Sequence, residues 1–304
     1  MIYSAEDFSN LSQLSQEVRS SGESVSLVIP TLNEARTVGA ILDTVLTDLV
    51  RNHSVVNEVL VVDGGSTDGT QEVAHERGVS VLDARYGIGG DHWKGGKGLA
   101  LWRSQFYTRG DIILFIDADI HDFTSRFVAG LLGPFFTPEK PGFVKSFYRR
   151  PFLGANGTYQ PTGGGRVTEL LVRPFLSYFF PAATELIQPL SGEYGFRRSI
   201  LETLPFYTGY GVETALVVRY IQKYGIERVA QVNMGERRHR NRDVHDLSKM
   251  SYAILQTCLE LAEEDKAVSL EKLDFSGFRL FSGEEQILDS TLLQDMLPPA
   301  REIV

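Results

Sequence analysis

Four short apolar runs, at residues 25–29, 58–62, 79–82 and 111–116, alternate with stretches of helical spacing, and three of them run directly into polar clusters. The runs are apolar throughout rather than alternating. That pattern fits strands covered on both faces, so the first half predicts an α/β unit with a mostly parallel, Rossmann-like sheet flanked by helices. Ligands of such sheets bind beyond the carboxyl ends of the strands. The clusters Pro30-Thr-Leu-Asn-Glu34, Asp63-Gly-Gly-Ser-Thr-Asp68 and Asp117-Ala-Asp119 all fall there. This shared placement weighs more than any one motif.

Helical periodicity predicts an N-terminal helix over 5–19, with Phe8, Leu11, Leu14 and Val18 on one side, and further helices over 35–50, 70–77 and from Lys97 to before Gly110. The second half is less regular. It suggests strands at 143–148 and 228–232, a glycine-rich loop at 154–165, and helices from Val167, from Gly211 and over 247–264. The expected organisation is a nucleotide-binding half over 1–120, an acceptor-binding half over 121–265 and a weakly patterned extension over 266–304.

Charge poses the functional question. Lys and Arg number 30 against 39 Asp and Glu, a net charge of −9, which argues against a nucleic-acid partner. The positive residues instead gather at Lys94-Gly-Gly-Lys97, Tyr148-Arg-Arg150, Arg166 and Arg237-Arg-His-Arg-Asn-Arg242. An anionic small molecule is therefore the expected ligand. The single cysteine, Cys258, excludes an intramolecular disulfide and suits a cytoplasmic location. No run of about 18 apolar residues occurs, so no membrane span is expected.

Two carboxylates two residues apart at a strand end, Asp117 and Asp119, suit a hard divalent cation, Mg²⁺ or Mn²⁺, bridging a diphosphate; a capped turn is the plainer alternative. His239 could complete such a site through a neutral imidazole. Lys97, between glycines, suits a phosphate, although the segment lacks the phosphate-binding-loop pattern because Gly98 follows the lysine. Glu34 is placed to accept from a base N–H, with helix capping by Asn33 as the alternative. Asp63 would reach the base or ribose, or else serve a turn. Gly163-Gly-Gly-Arg-Val-Thr168 offers free N–H groups, the Arg166 fork and the Thr168 hydroxyl to an anion. Glu213, near a helix start, would orient a sugar hydroxyl or stabilise positive charge at an anomeric carbon; favourable pairing with the helix dipole is the alternative.

In that order these motifs resemble the GT-A nucleotide-sugar glycosyltransferases. Val144-Lys-Ser-Phe-Tyr-Arg-Arg-Pro151, Thr162-Gly-Gly-Gly-Arg-Val-Thr-Glu169, Gln188-Pro-Leu-Ser-Gly-Glu-Tyr194, Gly209-Tyr-Gly-Val-Glu213 and His239-Arg-Asn-Arg242 resemble, more narrowly, the glucosyl-3-phosphoglycerate synthases. The resemblance spans about 24–262. It implies a retaining transfer of glucose from UDP-glucose to the 2-hydroxyl of D-3-phosphoglycerate, giving glucosyl-3-phosphoglycerate and UDP on the way to glucosylglycerate, a compatible solute. It further implies donor contacts from Pro30, Thr31, Leu32, Glu34, Asp63, Gly64, Lys97, Asp117, Ala118 and Glu213. Acceptor contacts would come from Gly165, Arg166, Thr168 and Asn241, metal ligation from Asp119 and His239, and assembly as a homodimer. Lys97 and Glu213 would carry the chemistry, by a front-face route with leaving-phosphate assistance in preference to a double displacement with Glu213 as nucleophile. A GDP-mannose-dependent mannosyl-3-phosphoglycerate synthase and a non-catalytic nucleotide-sugar sensor are the competing expectations.

Overall fold

The computed structural model describes residues 1–90, 95–149, 152–153, 159–160, 165–237, 244–270, 278–282, 285–289 and 294–303. The first half runs β1 (Ile2–Ser4), α1 (Leu11–Ser21), β2 (Val25–Thr31), α2 (Val38–Thr44), β3 (Glu58–Asp63), α3 (Thr70–His75), β4 (Ser80–Asp83), α4 (Lys97–Tyr107), β5 (Ile112–Phe115) and α5 (Arg126–Leu132). The second half continues β6 (Phe143–Arg149), β7 (Phe152–Leu153), β8 (Tyr159–Gln160), α6 (Arg173–Phe179), β9 (Tyr194–Arg197), α7 (Arg198–Leu201), β10 (Phe206–Tyr207), α8 (Val212–Tyr224), β11 (Val229–Glu236) and α9 (Val244–Glu264).

Among the described residues, eight strands form one sheet in the order β1-β11-β6-β9-β5-β2-β3-β4. All neighbours pair in parallel except β9, which is antiparallel to both β5 and β6. The apolar strands serve two layers. Val28, Leu60, Val62, Ile113 and Phe115 point to the layer of α4, α6, α8 and α9, while Leu27, Ile29, Val61, Ile112 and Leu114 point to that of α1, α2 and α5. Continuous apolar runs follow directly from this two-sided burial.

One expectation needs correction, and two features lie beyond what the sequence shows. The N-terminal helix over 5–19 is broken. Ser4 and Asp7 form a capping box on a 3₁₀ turn at Ala5–Phe8, and the Asn10 side chain accepts from Gln13 N–H (3.1 Å) to start α1 afresh. Periodicity does not reveal β9, in the middle of the sheet. Its four residues include Gly195, where a Cβ would lie 2.5 Å from Leu114 Cδ2. The last described part of the extension packs against the rest of the chain. Met296–Leu297 pairs with β10, and the Trp102 indole donates to the Pro298 carbonyl (2.7 Å).

Candidate active site

The carboxyl ends of β2, β3 and β5 meet at one edge of the sheet. Asn33, in the left-handed region (φ 59°), turns the loop after β2 onto the loop after β3. Its side-chain oxygen accepts from Thr67 N–H (2.9 Å), and its own N–H donates to Ser66 Oγ (2.8 Å). It therefore does not cap α2. Asp63 is fully buried and accepts from the Thr31 hydroxyl (3.0 Å), Gln71 Nε2 (2.8 Å) and the N–H groups of Gly65 (2.9 Å) and Ser66 (2.8 Å). Burial opposes its charge, but the Ser66 hydroxyl, which also donates to it, and the bonds from Ser66 N–H, Gln71 and Gly65 N–H outweigh that and hold its carboxyl below the usual range. The turn role anticipated for Asp63 is thus realised. Gly64 lies beside the exposed Leu32, and Pro30 and Thr31 end β2.

Glu34 shows the opposite shift. Burial raises its carboxyl, and the charges of Asp119 and Asp117 raise it further. Those two aspartates, flanking the buried Ala118, leave β5 toward Lys97 and Arg237. The Lys97 ammonium donates to Asp117 Oδ1 (2.7 Å) and pairs with Glu213 Oε1 (2.8 Å). Burial opposes its charge, but the two carboxylates win and hold the lysine well above its ordinary range. Glycine explains how Lys97 gets there. A Cβ on Gly98 would sit 1.7 Å from the Tyr207 carbonyl oxygen, so only glycine lets the start of α4 press against β10 beside Glu213. Glu213 itself lies in the buried first turn of α8, a favourable place for a carboxylate.

Arg237 belongs to a basic segment expected to face an anionic ligand, and the structure buries it against carboxylates instead. It is 4% exposed, bridges Glu193 and Asp119, accompanies Asp117 at 3.7 Å, and donates to the Tyr148 hydroxyl (2.7 Å). It is a buried counter-ion of the carboxylate cluster. No local pattern marks Glu193, Lys145 or Tyr194 as site residues. The available signal was a charged residue within an apolar strand, Val144-Lys145-Ser146, and the Ser-Gly-Glu-Tyr194 run.

A cavity of about 280 Å³ adjoins this cluster, lined by Gly165, Thr168, Glu169, Arg173, Ile187, Gln188 and Ser191. It shares a wall with the carboxylates. Ser191 faces the cavity, and the next residue, Gly192, abuts Asp117 so closely that a Cβ would lie 2.1 Å from Asp117 Oδ2. Two expected acceptor residues, Gly165 and Thr168, thus line a cavity one residue away from Asp117. Arg166 is half-buried between them in sequence. His239 and Asn241 lie outside the described residues.

Comparison with known proteins decides the family. The family model of glycosyl transferase family 2 matches residues 26–176. The glucosyl-3-phosphoglycerate synthase of Petrotoga mobilis is 40% identical over 257 residues, 84% of this chain and 79% of that protein. The chain belongs to the glucosyl-3-phosphoglycerate synthase family. A crystal structure of the Mycobacterium tuberculosis enzyme with Mn²⁺, UDP-glucose and phosphoglyceric acid superposes with a TM-score of 0.82 at 35% identity, covering 97% of this chain and 95% of that one. Mannosyl-3-phosphoglycerate synthase from Rubrobacter xylanophilus superposes with a TM-score of 0.87 at 33% identity, covering 100% and 96%. The GT-A architecture is common to this family, and the mostly parallel sheet agrees with it. Among the described residues, no helix is long and apolar enough to cross a membrane.

Proposed function

We propose that the protein transfers glucose from UDP-glucose to the 2-hydroxyl of D-3-phosphoglycerate with retention at the anomeric carbon, releasing UDP. The observation that carries this reading is the shared wall. The Lys97–Asp117–Glu213 cluster, at the edge where sheets of this class bind nucleotides, is separated by Ser191–Gly192 from a cavity sized for a small polar acceptor.

Roles follow from the chemistry. Pro30, Thr31, Leu32 and Glu34 would receive the uridine, with Gly64 beside them and Asp63 holding the loop. Asp117 and Ala118 would meet the ribose side. Asp119 and His239 would hold Mg²⁺ or Mn²⁺. The surroundings suit a hard cation, because Asp117 and Asp119 already raise the Glu34 carboxyl and a divalent ion would relieve that crowding. Such a cation supplies charge neutralisation at the leaving diphosphate. Lys97 adds a fixed positive charge on the same side, in a partly dry site where it needs little reorganisation. Glu213, already engaged by Lys97, suits an electrostatic partner of the glucosyl ring in a front-face transfer better than a free nucleophile. Gly165, Arg166, Thr168 and Asn241 would bind the phosphoglycerate. The family resemblance supports a homodimer and a role in compatible-solute synthesis, and the buried lone Cys258 accords with a reducing cytoplasm.

Incubation with phosphoglycerate, divalent metal and either UDP-glucose or GDP-mannose tests the donor. UDP release with UDP-glucose, and an α-linked product by NMR, are expected. The likeness to the Rubrobacter mannosyl enzyme makes GDP-mannose the second reading; turnover with GDP-mannose alone would establish it. Donor binding without turnover would leave a sensor.

A further inference from the structure

Lys145 lies on β6 in the interior of the sheet and is 2% exposed. Its ammonium donates to the Ser191 carbonyl (2.8 Å) and sits 4.6 Å from the centre of the Tyr194 ring. A methionine would pack among these aromatics without burying a charge, but it would leave the Ser191 carbonyl without its donor. The lysine is therefore explained by what it holds. The Gln188–Glu193 turn is fastened to β6 at several further points. Ser191 Oγ donates to the Ser146 carbonyl (2.7 Å), Ser146 N–H to the Glu193 carbonyl (3.0 Å), and Tyr148 N–H to Gln188 Oε1 (3.1 Å). This turn is the wall between the acceptor cavity, through Gln188 and Ser191, and Asp117, through Gly192.

We propose that Lys145 is a positioning residue of the acceptor site, whose charged ammonium holds the Gln188–Glu193 turn in the shape that binds the phosphorylated acceptor. The proposal rests on the acceptor reading given above and extends it to a residue outside the cavity. The ammonium is also placed to respond to pH. Burial pushes Lys145 down to about 7; Glu213 from α8, Glu193 from the turn and Asp117 after β5 pull it up, and Lys97 from α4 pushes it down. Below neutrality the group is charged and grips the carbonyl as a charge-assisted donor; above it the amine is a weaker donor.

Two measurements on the full-length enzyme test this. In Lys145→Met, the KM for phosphoglycerate should rise about tenfold while the KM for UDP-glucose stays within about twofold. In the wild type, the KM for phosphoglycerate should rise from about pH 6 to about pH 8.5. The acceptor's own phosphate, gaining charge over that range, would favour the opposite trend. The Met variant should lack the rise. Wild-type turnover with an unchanged acceptor KM in Lys145→Met overturns the proposal. Should that variant lack the wild-type circular dichroism, the wild-type profile decides, and a flat KM overturns the proposal equally. Absence of any wild-type transfer to phosphoglycerate would instead overturn the acceptor reading itself.

Discussion

The carboxylate cluster and the neighbouring cavity are built on different principles. In the cluster, the chain answers its own charges: Lys97 stands between Asp117 and Glu213, and Arg237 between Glu193 and Asp119. The cavity presents mainly uncharged groups from Gly165, Thr168, Gln188 and Ser191, with the Glu169–Arg173 pair (3.3 Å) beside them. A preformed ionic lattice is rigid and is aimed at charge that develops during reaction; neutral donors position a ligand without a counter-ion to displace. The contrast predicts that changes in the cluster act on turnover or on folding, and changes at the cavity act on acceptor binding.

The largest effect is expected at Lys97. Lys97→Met leaves Asp117 and Glu213 without their shared cation, and kcat for UDP release should fall by about 10²–10³. A loss of less than tenfold would show that the lysine is a structural counter-ion only. Arg237→Met comes next and reads out in stability. It strands the fully buried Glu193, so urea unfolding should show a loss of about 3–5 kcal/mol. Adding Glu193→Gln should return more than half of it, whereas simple additivity would separate the two residues energetically. On the cavity side, Thr168→Val keeps the volume and removes the hydroxyl. The KM for phosphoglycerate should rise about tenfold with the KM for UDP-glucose unchanged. Equal changes in both would erase the division between the regions.

That division also separates what the sequence reveals from what it conceals. The polar edge was legible because β2, β3 and β5 are continuous apolar runs ending in acidic or polar clusters, a local signal tied to a general rule about sheet edges. The meaning of those clusters was less legible. Asp63 and Asn33 hold two loops together, a partnership between residues about thirty positions apart. Lys97 between glycines reads as a phosphate contact, but the sequence does not show that its glycines serve the approach of α4 to β10 beside Glu213. Arg237 sits among arginines that suggest an exposed anion patch, and only the fold brings Glu193 and Tyr148 around it. The antiparallel β9 was hidden because four residues containing a glycine carry no periodicity. Lys145 and Ser191 meet across 46 positions, a contact that no spacing rule reaches.

The smallest expected effect tests whether the end of the chain belongs to the cluster. Gln294 is buried, accepts from Gly211 N–H (2.9 Å) through Oε1, and donates from its side-chain amide to the Ala253 carbonyl. Gly211 immediately precedes α8 and has no side-chain cap of its own, so Gln294 braces the turn two residues before Glu213. Gln294→Met should therefore do two things. It leaves the buried Gly211 N–H without its acceptor, while the Ala253 carbonyl keeps the Thr257 hydroxyl, a loss of about 1–3 kcal/mol in urea unfolding. It also loosens Glu213 against Lys97, lowering kcat about threefold while both KM values hold. A small displacement is expected because the Lys97 pair still tethers the carboxylate from the other side. If stability falls and kcat does not, the bracing stops at the helix end, and Lys97 alone sets the position of Glu213. If kcat falls as far as in Lys97→Met, the returning tail is as much a part of the reacting cluster as the helix that carries Glu213.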